Sequence, residues 1–245
     1  MLVPIYNCRL SIKSNYYTKT ENKHKKKYNK MKNIIIIGCG SHASELVDYI
    51  EYINKNSSTQ QYHIKGLIDN TDAHYLHYNY NYKFIGNIDD HAIDSNVYYL
   101  LGIGNVTIRS KVLEEFRSKN AKFTGIIHPT ALISSSAEIG EGTIISHNVS
   151  VGPKAKIGAF NVINSRCTIG HDTEIGDNNF LSPQVVLGGY VKIKNLNFLG
   201  TNSCVLPEIE IESNNKIMAG MTITSKVHNN ETVFFRYKEK LVVKQ

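Results

Sequence analysis

An aliphatic residue recurs at every sixth position through more than a third of this chain of 245 residues, and the phase never changes. The series has seventeen members: Ile127, Ile133, Ile139, Ile145, Val151, Ile157, Ile163, Ile169, Ile175, Leu181, Leu187, Ile193, Leu199, Val205, Ile211, Ile217 and Ile223. Neither the helical period of 3.6 nor the strand period of 2 produces such a pattern, whereas a parallel β-helix of hexapeptides does. The aliphatic side chains then fill the interior, and glycine, which often follows them, is expected to take the corner conformations.

Strand-like and helix-like stretches alternate ahead of the repeat. A run of four isoleucines, Ile34 to Ile37, has the character of a strand buried in a parallel sheet. Further strands are expected at 63–68, 82–85, 97–104 and 123–127, and helices at 44–53, near Asp89–Asp90 and at 106–118. The alternation predicts a Rossmann-like α/β domain over 31–126, a β-helix over 127–224 and a C-terminal tail over 225–245.

A glycine-rich loop follows the first strand and leads into the first helix. Its sequence from Gly38 to Ala43, GCGSHA, places backbone N–H groups at a helix N-terminus, where phosphate oxygens bind well. A tight turn without a ligand fits the same residues, and so does NAD binding with Asp69 on a ribose. Against NAD, the α/β unit is about half of a full dinucleotide-binding fold. His42 is expected either to contact a ligand or to cap the helix.

The net charge of +7 belongs to the first thirty residues. Residues 1–30 contain eight Lys or Arg and one Glu, so the remaining residues carry equal numbers of basic and acidic side chains. This predicts a basic, disordered leader, with Met31 as a possible natural start, and argues against nucleic-acid binding by the body. No apolar run is long enough to cross a bilayer. We therefore expect no membrane partner. The four cysteines lack metal-ligand spacing, so we also expect no metal. A cytoplasmic location fits these features best.

Four segments give the chain a resemblance to a known family. IIIIGCGSHA opens the α/β unit, IDN follows the second strand, LGIGN precedes a helix, and IIHPTA leads into the hexapeptides. Over residues 31–225 the chain resembles the hexapeptide-repeat sugar-nucleotide acetyltransferases. That group includes the UDP-4-amino-sugar, viosamine and perosamine N-acetyltransferases and the sialic acid O-acetyltransferases. The resemblance implies a left-handed β-helix with 18 residues per coil, a homotrimer, acetyl-CoA as co-substrate, and a site between subunits.

The catalytic element of that family is a histidine followed by an acid within a coil, and His171-Asp172 matches it. Imidazole titrates near neutral pH, so it can take a proton while an amine attacks a thioester, and a carboxylate can hold its tautomer. Residues 18 apart stack, so Gly189 is expected one coil above His171, where its N–H can face an oxyanion. Gly188, Gly189 and Phe180 are assigned to the acetyl-CoA site by the resemblance. Relatives can carry another histidine where this chain has Phe180.

The resemblance assigns the nucleotide of the substrate sugar to the α/β domain, specifically to Gly38, Gly40, Ser41, His42 and Asp69. His147 is interpreted as a turn residue, and His128 as structural or lining. Cys167 occupies an inward position of the repeat and Cys204 lies near a corner, so both are interpreted as structural. The tail after 225 departs from the family's usual C-terminal segment.

The sequence therefore predicts an acetyl-CoA-dependent N-acetyltransferase acting on the 4-amino group of a nucleotide-linked amino-deoxy sugar. Direct attack with His171 as general base is expected, in the biosynthesis of surface glycans. Two alternatives stay open: O-acetylation of a sialic-acid-like sugar, and a non-catalytic trimer that binds nucleotide sugars.

Overall fold

A computed structural model of the chain describes residues 31–235. The predicted basic leader and the last ten residues of the predicted tail lie outside the described residues. Within the described part, no helix is long and apolar enough to cross a membrane.

The N-terminal unit is a four-stranded parallel sheet with helices. The strands are β1 (Lys32–Ile37), β2 (Tyr62–Ile68), β3 (Phe84–Gly86) and β4 (Tyr98–Leu101), and the helices are α1 (Ser41–Lys55), α2 (Ala73–Tyr78) and α3 (Val106–Ser118). The strand order is β3-β2-β1-β4. The chain reverses direction across the sheet between β1 and β4, so a crevice opens beyond their carboxyl ends, where open α/β sheets bind ligands. The predicted Rossmann-like fold is confirmed, and Ile34 to Ile37 are buried as expected.

Two expected elements differ from the structure. The helix predicted near Asp89–Asp90 is wrong, because this segment forms turns. The Asn87 side chain accepts a hydrogen bond from the Asp89 N–H at 2.8 Å, and such local bonds compete with helix formation. The strand predicted at 123–127 is reduced to a single bridge between Tyr99 and Phe123, and Ile126–Ile127 begins the β-helix instead.

The repeat forms a left-handed parallel β-helix, as predicted. Its strands have two residues each and are numbered β5 to β22 in chain order: Ile126–Ile127, Leu132–Ile133, Glu138–Ile139, Ile144–Ile145, Ser150–Val151, Lys156–Ile157, Val162–Ile163, Thr168–Ile169, Glu174–Ile175, Phe180–Leu181, Val186–Leu187, Lys192–Ile193, Phe198–Leu199, Cys204–Val205, Glu210–Ile211, Lys216–Ile217, Thr222–Ile223 and Thr232–Val233. They build three sheets of seven, six and five strands.

Strands 18 residues apart pair with one another, which confirms the stacking rule. For example, Thr168 pairs with Val186 and Ile169 with Leu187. The aliphatic series from Ile145 onward is buried in one core, whereas Ile127 at the start of the series is 44% exposed. Pairing also continues past residue 224: Lys216–Ile217 pairs with Thr232–Val233 across a shortened coil.

The prediction that the repeat glycines take the corner conformations is wrong. The left-handed φ angles fall three positions after the aliphatic residue, and non-glycine residues occupy most of these positions, including Asp172 at 56°. The glycines directly after the aliphatic residue lie where successive coils approach closely. A Cβ on Gly170 would stand 2.5 Å from the carbonyl carbon of Gly188, so only glycine fits there.

The α/β unit packs against the seven-stranded sheet of the β-helix. The outward side chains Ile126, Ile144 and Val162 are buried in the same apolar cluster as Leu46 and Ile50 of α1. This packing brings the crevice beyond β1 and β4 next to the β-helix, which positions the residues described below.

Candidate active site

His171 and Asp172 form a hydrogen-bonded pair on a turn after β12. The distance between His171 Nδ1 and Asp172 Oδ2 is 2.9 Å, and the side chains are 56% and 29% exposed. An ionised carboxylate can only accept, so the His171 Nδ1–H must donate. In the neutral imidazole this fixes the tautomer, and Nε2 then presents its lone pair to the surroundings.

Gly189 lies directly against the His171 ring, one coil further along. A Cβ at Gly189 would stand 2.7 Å from both Cε1 and Nε2 of His171. The structure thus brings His171, Asp172 and Gly189 together as the register predicted, and the lack of a side chain at Gly189 keeps the space at Nε2 open.

The backbone N–H of Gly189 has no hydrogen-bond acceptor within residues 31–235. In another corner of the β-helix the equivalent N–H groups are capped by side chains from the next coil. The Ala159 N–H donates to Asp177 Oδ1 and the Asp177 N–H to Asn195 Oδ1, both at 2.7 Å. The His171 corner lacks this ladder of side chains, which leaves the Gly189 N–H available to a ligand.

Tyr190 completes the surroundings of the pair and was not singled out from the sequence. Its ring contacts that of His171 edge-on at 5.2 Å between centroids, and its N–H donates to the His171 carbonyl at 3.0 Å. Its position 18 residues after Asp172 was the signal that could have revealed it.

The glycine loop is held in shape by Asp69. Gly38 has a φ of 100°, which favours glycine, and the Cys39 N–H donates to Asp69 Oδ2 at 2.7 Å. The other oxygen, Oδ1, accepts from the Asn70 N–H at 2.7 Å. Asp69 therefore fixes the conformation of the glycine loop. Its predicted contact with the substrate would be a second role.

A cavity of about 240 Å³ opens between the glycine loop and the β-helix. It is lined by Gly40, Ser41, His42, Glu45, Gly102, Gly104, Asn164 and Phe180, and is called the glycine-loop cavity below. A Cβ on Gly40 would meet nothing nearer than His74 at 3.9 Å. Three of the residues predicted to bind the nucleotide sugar thus share one cavity. Phe180, which the sequence assigned to the acetyl-CoA site, also lines this cavity.

His42 is buried in the wall of this cavity. It is only 7% exposed, its Nδ1 lies 3.4 Å from Glu45 Oε2, and its ring meets Phe180 edge-on at 5.9 Å between centroids. Its Nε2 is buried and has no hydrogen-bond partner in the described part of the chain. Burial lowers the pKa of His42, which keeps the imidazole neutral at pH 7.

Two cysteine thiols, those of Cys39 and Cys167, are poorly placed for covalent chemistry. Cys167 is fully buried in the β-helix core, as predicted, and its Sγ donates to the Ser182 carbonyl at 3.2 Å. Burial raises the pKa of Cys167, and that of Cys39, to about 12, so neither forms a thiolate near neutral pH. Cys204 is half-buried and unpaired with another cysteine. Among the described residues, no group of three or more His, Cys, Asp or Glu side chains could hold a metal ion.

His128 and His147 join α1 to the first coils. His147 Nδ1 lies 3.3 Å from the Tyr49 hydroxyl, and the His128 ring lies 5.2 Å from the ring of Tyr49 between centroids. This aromatic contact between the two parts of the molecule was not anticipated. Arg109, a fully buried residue of α3, was also missed.

Both parts of the chain match known protein families. Residues 33–116 match the PglD N-terminal domain, and residues 154–189 match the bacterial transferase hexapeptide, a family of six repeats. The chain is 29% identical over 119 residues to UDP-N-acetylbacillosamine N-acetyltransferase of Bacillus subtilis. That match covers 47% of this chain and spans about half, 51%, of the relative.

Three solved structures share the fold. The acetyltransferase domain of PglB from Neisseria gonorrhoeae has a TM-score of 0.70 at 20% identity, covering 82% of this chain and 95% of that one. PerB from Caulobacter crescentus, solved with CoA and GDP-perosamine, also has a TM-score of 0.70 at 21% identity, covering 83% and 93%. WeeI from Acinetobacter baumannii has a TM-score of 0.69 at 19% identity, covering 83% and 96%.

Proposed function

We propose that this chain, with a PglD-type N-terminal domain followed by hexapeptide-transferase repeats, transfers acetyl from acetyl-CoA to an amino sugar. The acceptor is the 4-amino group of a nucleotide-linked amino-deoxy sugar destined for a surface glycan. The observation that carries the proposal is the arrangement of His171, Asp172 and Gly189 around one open space. The Bacillus relative, named as an N-acetyltransferase, and the Caulobacter structure with CoA and GDP-perosamine support the substrate classes.

His171 acts as the general base in this proposal. The neutral amine attacks the thioester carbonyl, and His171 Nε2 takes the amine proton as the C–N bond forms. Asp172 keeps the other ring nitrogen protonated and stabilises the imidazolium that develops. When the tetrahedral intermediate collapses, the C–S bond breaks and the imidazolium returns the proton to the leaving thiolate of CoA.

The Gly189 N–H stabilises the negative oxygen of the tetrahedral intermediate. It is uncommitted within the described residues, and it belongs to the residue whose missing side chain leaves room at Nε2. Preorganised backbone donors of this kind are among the larger contributions to acyl transfer. An acyl-enzyme on Cys39 or Cys167 is disfavoured, because both thiols are buried with a raised pKa.

The nucleotide of the substrate occupies the glycine-loop cavity. Gly40 is the residue before α1 and carries no side chain, so a phosphate can approach the first N–H groups of that helix. Among residues 31–235, no hydrogen bond, ion pair or ring contact joins a residue of this cavity to His171. That separation supports a homotrimer in which the cavity of one subunit serves His171 of its neighbour.

Replacing His171 tests the chemical step. We expect His171→Ala to lower kcat by roughly 10²–10⁴-fold, because general-base help is worth about that much, with both KM values nearly unchanged. Asp172→Asn should cost less, since asparagine tolerates the left-handed turn and retains an acceptor oxygen. Steady-state kinetics with acetyl-CoA and UDP-, dTDP- and GDP-linked 4-amino sugars measures both. Cys167→Ala, a change inside the β-helix core that leaves both residues of the pair in place, is the control that should retain turnover.

Ligand binding separates the proposal from its alternatives. A ligand at 100 times its Kd should raise the free energy of unfolding by about 2.7 kcal/mol, which a thermal-shift assay detects. Binding of a nucleotide sugar without any response to acetyl-CoA would favour a non-catalytic binding protein. Acetylation of a sugar hydroxyl in place of an amine would move the assignment to an O-acetyltransferase. Wild-type turnover by His171→Ala would overturn the mechanism.

A further inference from the structure

Arg109 is a fully buried cation, and no carboxylate pairs with it among the described residues. Its guanidinium donates to three neutral oxygens: the Phe160 carbonyl at 2.7 Å, Asn178 Oδ1 at 3.1 Å and the Ile103 carbonyl at 3.4 Å. Within residues 31–235 no Asp or Glu oxygen lies within 4.0 Å of it. Burial lowers the pKa of Arg109 to about 9, which still leaves it charged at neutral pH. A buried charge without compensation is costly, so a protein normally pairs it.

The guanidinium lies behind the wall of the glycine-loop cavity. Ile103, whose carbonyl it contacts, is flanked by Gly102 and Gly104, and both glycines line the cavity. Asn178 precedes the cavity residue Phe180 by two positions. The charge also reaches His42 in the same wall: burial is the main cause of its lowered pKa, and the positive charge of Arg109 adds to the lowering.

Other charges near the cavity do not neutralise Arg109. Glu45 also lines the cavity, but its side chain is 49% exposed, so solvent screens it, whereas the buried guanidinium is screened much less. His42 is neutral at pH 7. The cavity therefore has an excess of positive charge behind it and room for an anion at the N-terminus of α1.

We infer that Arg109 determines the specificity of the glycine-loop cavity for a phosphorylated ligand, because the bound phosphates supply its missing counter-charge. The inference rests on the proposed function, and it assigns to Arg109 an electrostatic role beyond its structural one. Arg109 acts through the cavity wall and need not touch the ligand.

Asn178 offers a sharp test. Its Oδ1 accepts from Arg109 Nε, while its Nδ2 is buried without a partner. Asn178→Asp keeps the size of the side chain and the oxygen that accepts from Arg109, and aspartate also tolerates the φ of 54°. The change adds a carboxylate beside the guanidinium. It also removes the unpartnered N–H group. A purely structural role for Arg109 therefore predicts equal or higher stability with unchanged ligand selectivity, whereas the inference predicts a loss of selectivity.

The measurement is the ratio of Kd values for a nucleoside and its diphosphate, by isothermal titration calorimetry with uridine and UDP, thymidine and dTDP, and guanosine and GDP. For the pair that binds the wild-type protein, Asn178→Asp should reduce the preference for the diphosphate about 10-fold. That is the scale of one unit charge acting over roughly 10 Å at an effective dielectric near 20. Its Tm should equal or exceed that of the wild type. Arg109→Met should reduce the preference for the diphosphate by a similar factor. If Arg109→Met does not fold, the result for Asn178→Asp decides the outcome.

Asn202→Asp is the matched control. Asn202 is exposed and occupies the same left-handed turn position, so the change adds an equal charge away from Arg109 and should leave the ratio unchanged. An unchanged ratio in folded Asn178→Asp would overturn the inference while leaving the proposed function intact. Failure of the wild-type protein to bind any of the three diphosphates would overturn both.

Discussion

The proposed chemistry uses a backbone geometry that the fold repeats in nearly every turn. Asp172 has a left-handed φ of 56°, and asparagine, lysine or even phenylalanine has the same geometry at equivalent positions. In this turn the carboxylate reaches back to the preceding histidine at 2.9 Å. The pair therefore needs no special backbone, and what distinguishes this corner is the open space over Gly189.

Gly189→Ala tests that space. The new Cβ would lie 2.7 Å from His171 Nε2, so the imidazole must move away from Asp172 and the acetyl position. Because the φ of Gly189 is not left-handed, the backbone accepts alanine. We expect kcat to fall by at least about 10²-fold, a typical cost of a misplaced catalytic group, with Tm within a few degrees of the wild type.

Gly170→Ala is the contrasting variant. Its Cβ would stand 2.5 Å from backbone of the next coil, so it should lower Tm strongly. If Gly189→Ala retained full kcat, the assignment of this space to the reacting groups would be wrong.

The residues of the site differ in how far the sequence could predict them. The family resemblance predicted His171 and Asp172, and Gly189 was predicted because a fixed register turns sequence spacing into stacking. Arg109 was missed, and the position of Phe180 beside the glycine loop was not anticipated. Both lie where the α/β unit meets the β-helix, and the hexapeptide period does not encode which face of the β-helix that unit covers.

At the scale of elements, the interior of the β-helix contains a polar ladder that the sequence analysis missed. From the second asparagine onward, each N–H donates to the side-chain oxygen of the asparagine a coil earlier, at 2.8–2.9 Å, and the first donates to Thr143 Oγ1 at 3.1 Å. The ladder consists of Asn161, Asn179, Asn197 and Asn215, and all four are buried. Each lies four positions after an aliphatic residue, where most other turns carry a small side chain. Comparing positions 18 apart, rather than six apart, would have revealed it.

Asn179→Ala tests the contribution of this ladder to stability. Its Oδ1 accepts from both the N–H and the side-chain amide of Asn197, so alanine leaves two buried donors unpaired. We expect the free energy of unfolding to fall by roughly 2–5 kcal/mol, since each unsatisfied buried group costs about 1–3 kcal/mol. Chemical denaturation measures this change. Thr168→Ala, at an exposed position of β12, should change stability by about 0.5 kcal/mol or less, and an equal effect of the two variants would contradict the role of the ladder.

At the scale of the whole molecule, the three faces of the β-helix differ in character. The seven-stranded sheet is covered by the α/β unit. The five-stranded sheet presents alternating charges in one column, namely Glu138, Lys156, Glu174, Lys192 and Glu210. The six-stranded sheet carries an uncharged column, in which the apolar Leu132 and Val186 are 74% and 41% exposed; its other members are Ser150, Thr168, Cys204 and Thr222. His171 follows β12, a strand of this third sheet. An uncharged face with exposed Leu132 and Val186 beside the proposed base supports packing between copies of the chain.

Mixing two inactive variants tests the trimer and its shared site together. His171→Ala removes the base, and Gly40→Val fills the space before α1, where a Cβ would meet nothing nearer than His74 at 3.9 Å. Each variant alone should be inactive or nearly so with nucleotide sugar near the wild-type KM. If each site joins His171 of one subunit to the glycine-loop cavity of another, random mixed trimers regain about a quarter of the sites.

The two variants are mixed after dissociation in denaturant and refolded together, and the specific activity is compared with each variant refolded alone. Refolded wild-type protein sets the scale, and light scattering should give three times the chain mass of 27.6 kDa. If every site lay within one subunit, no mixed trimer could contain a complete one and activity would stay absent. A stable monomer by light scattering would remove the shared site altogether, and the base and the nucleotide cavity would then need a contact within one chain.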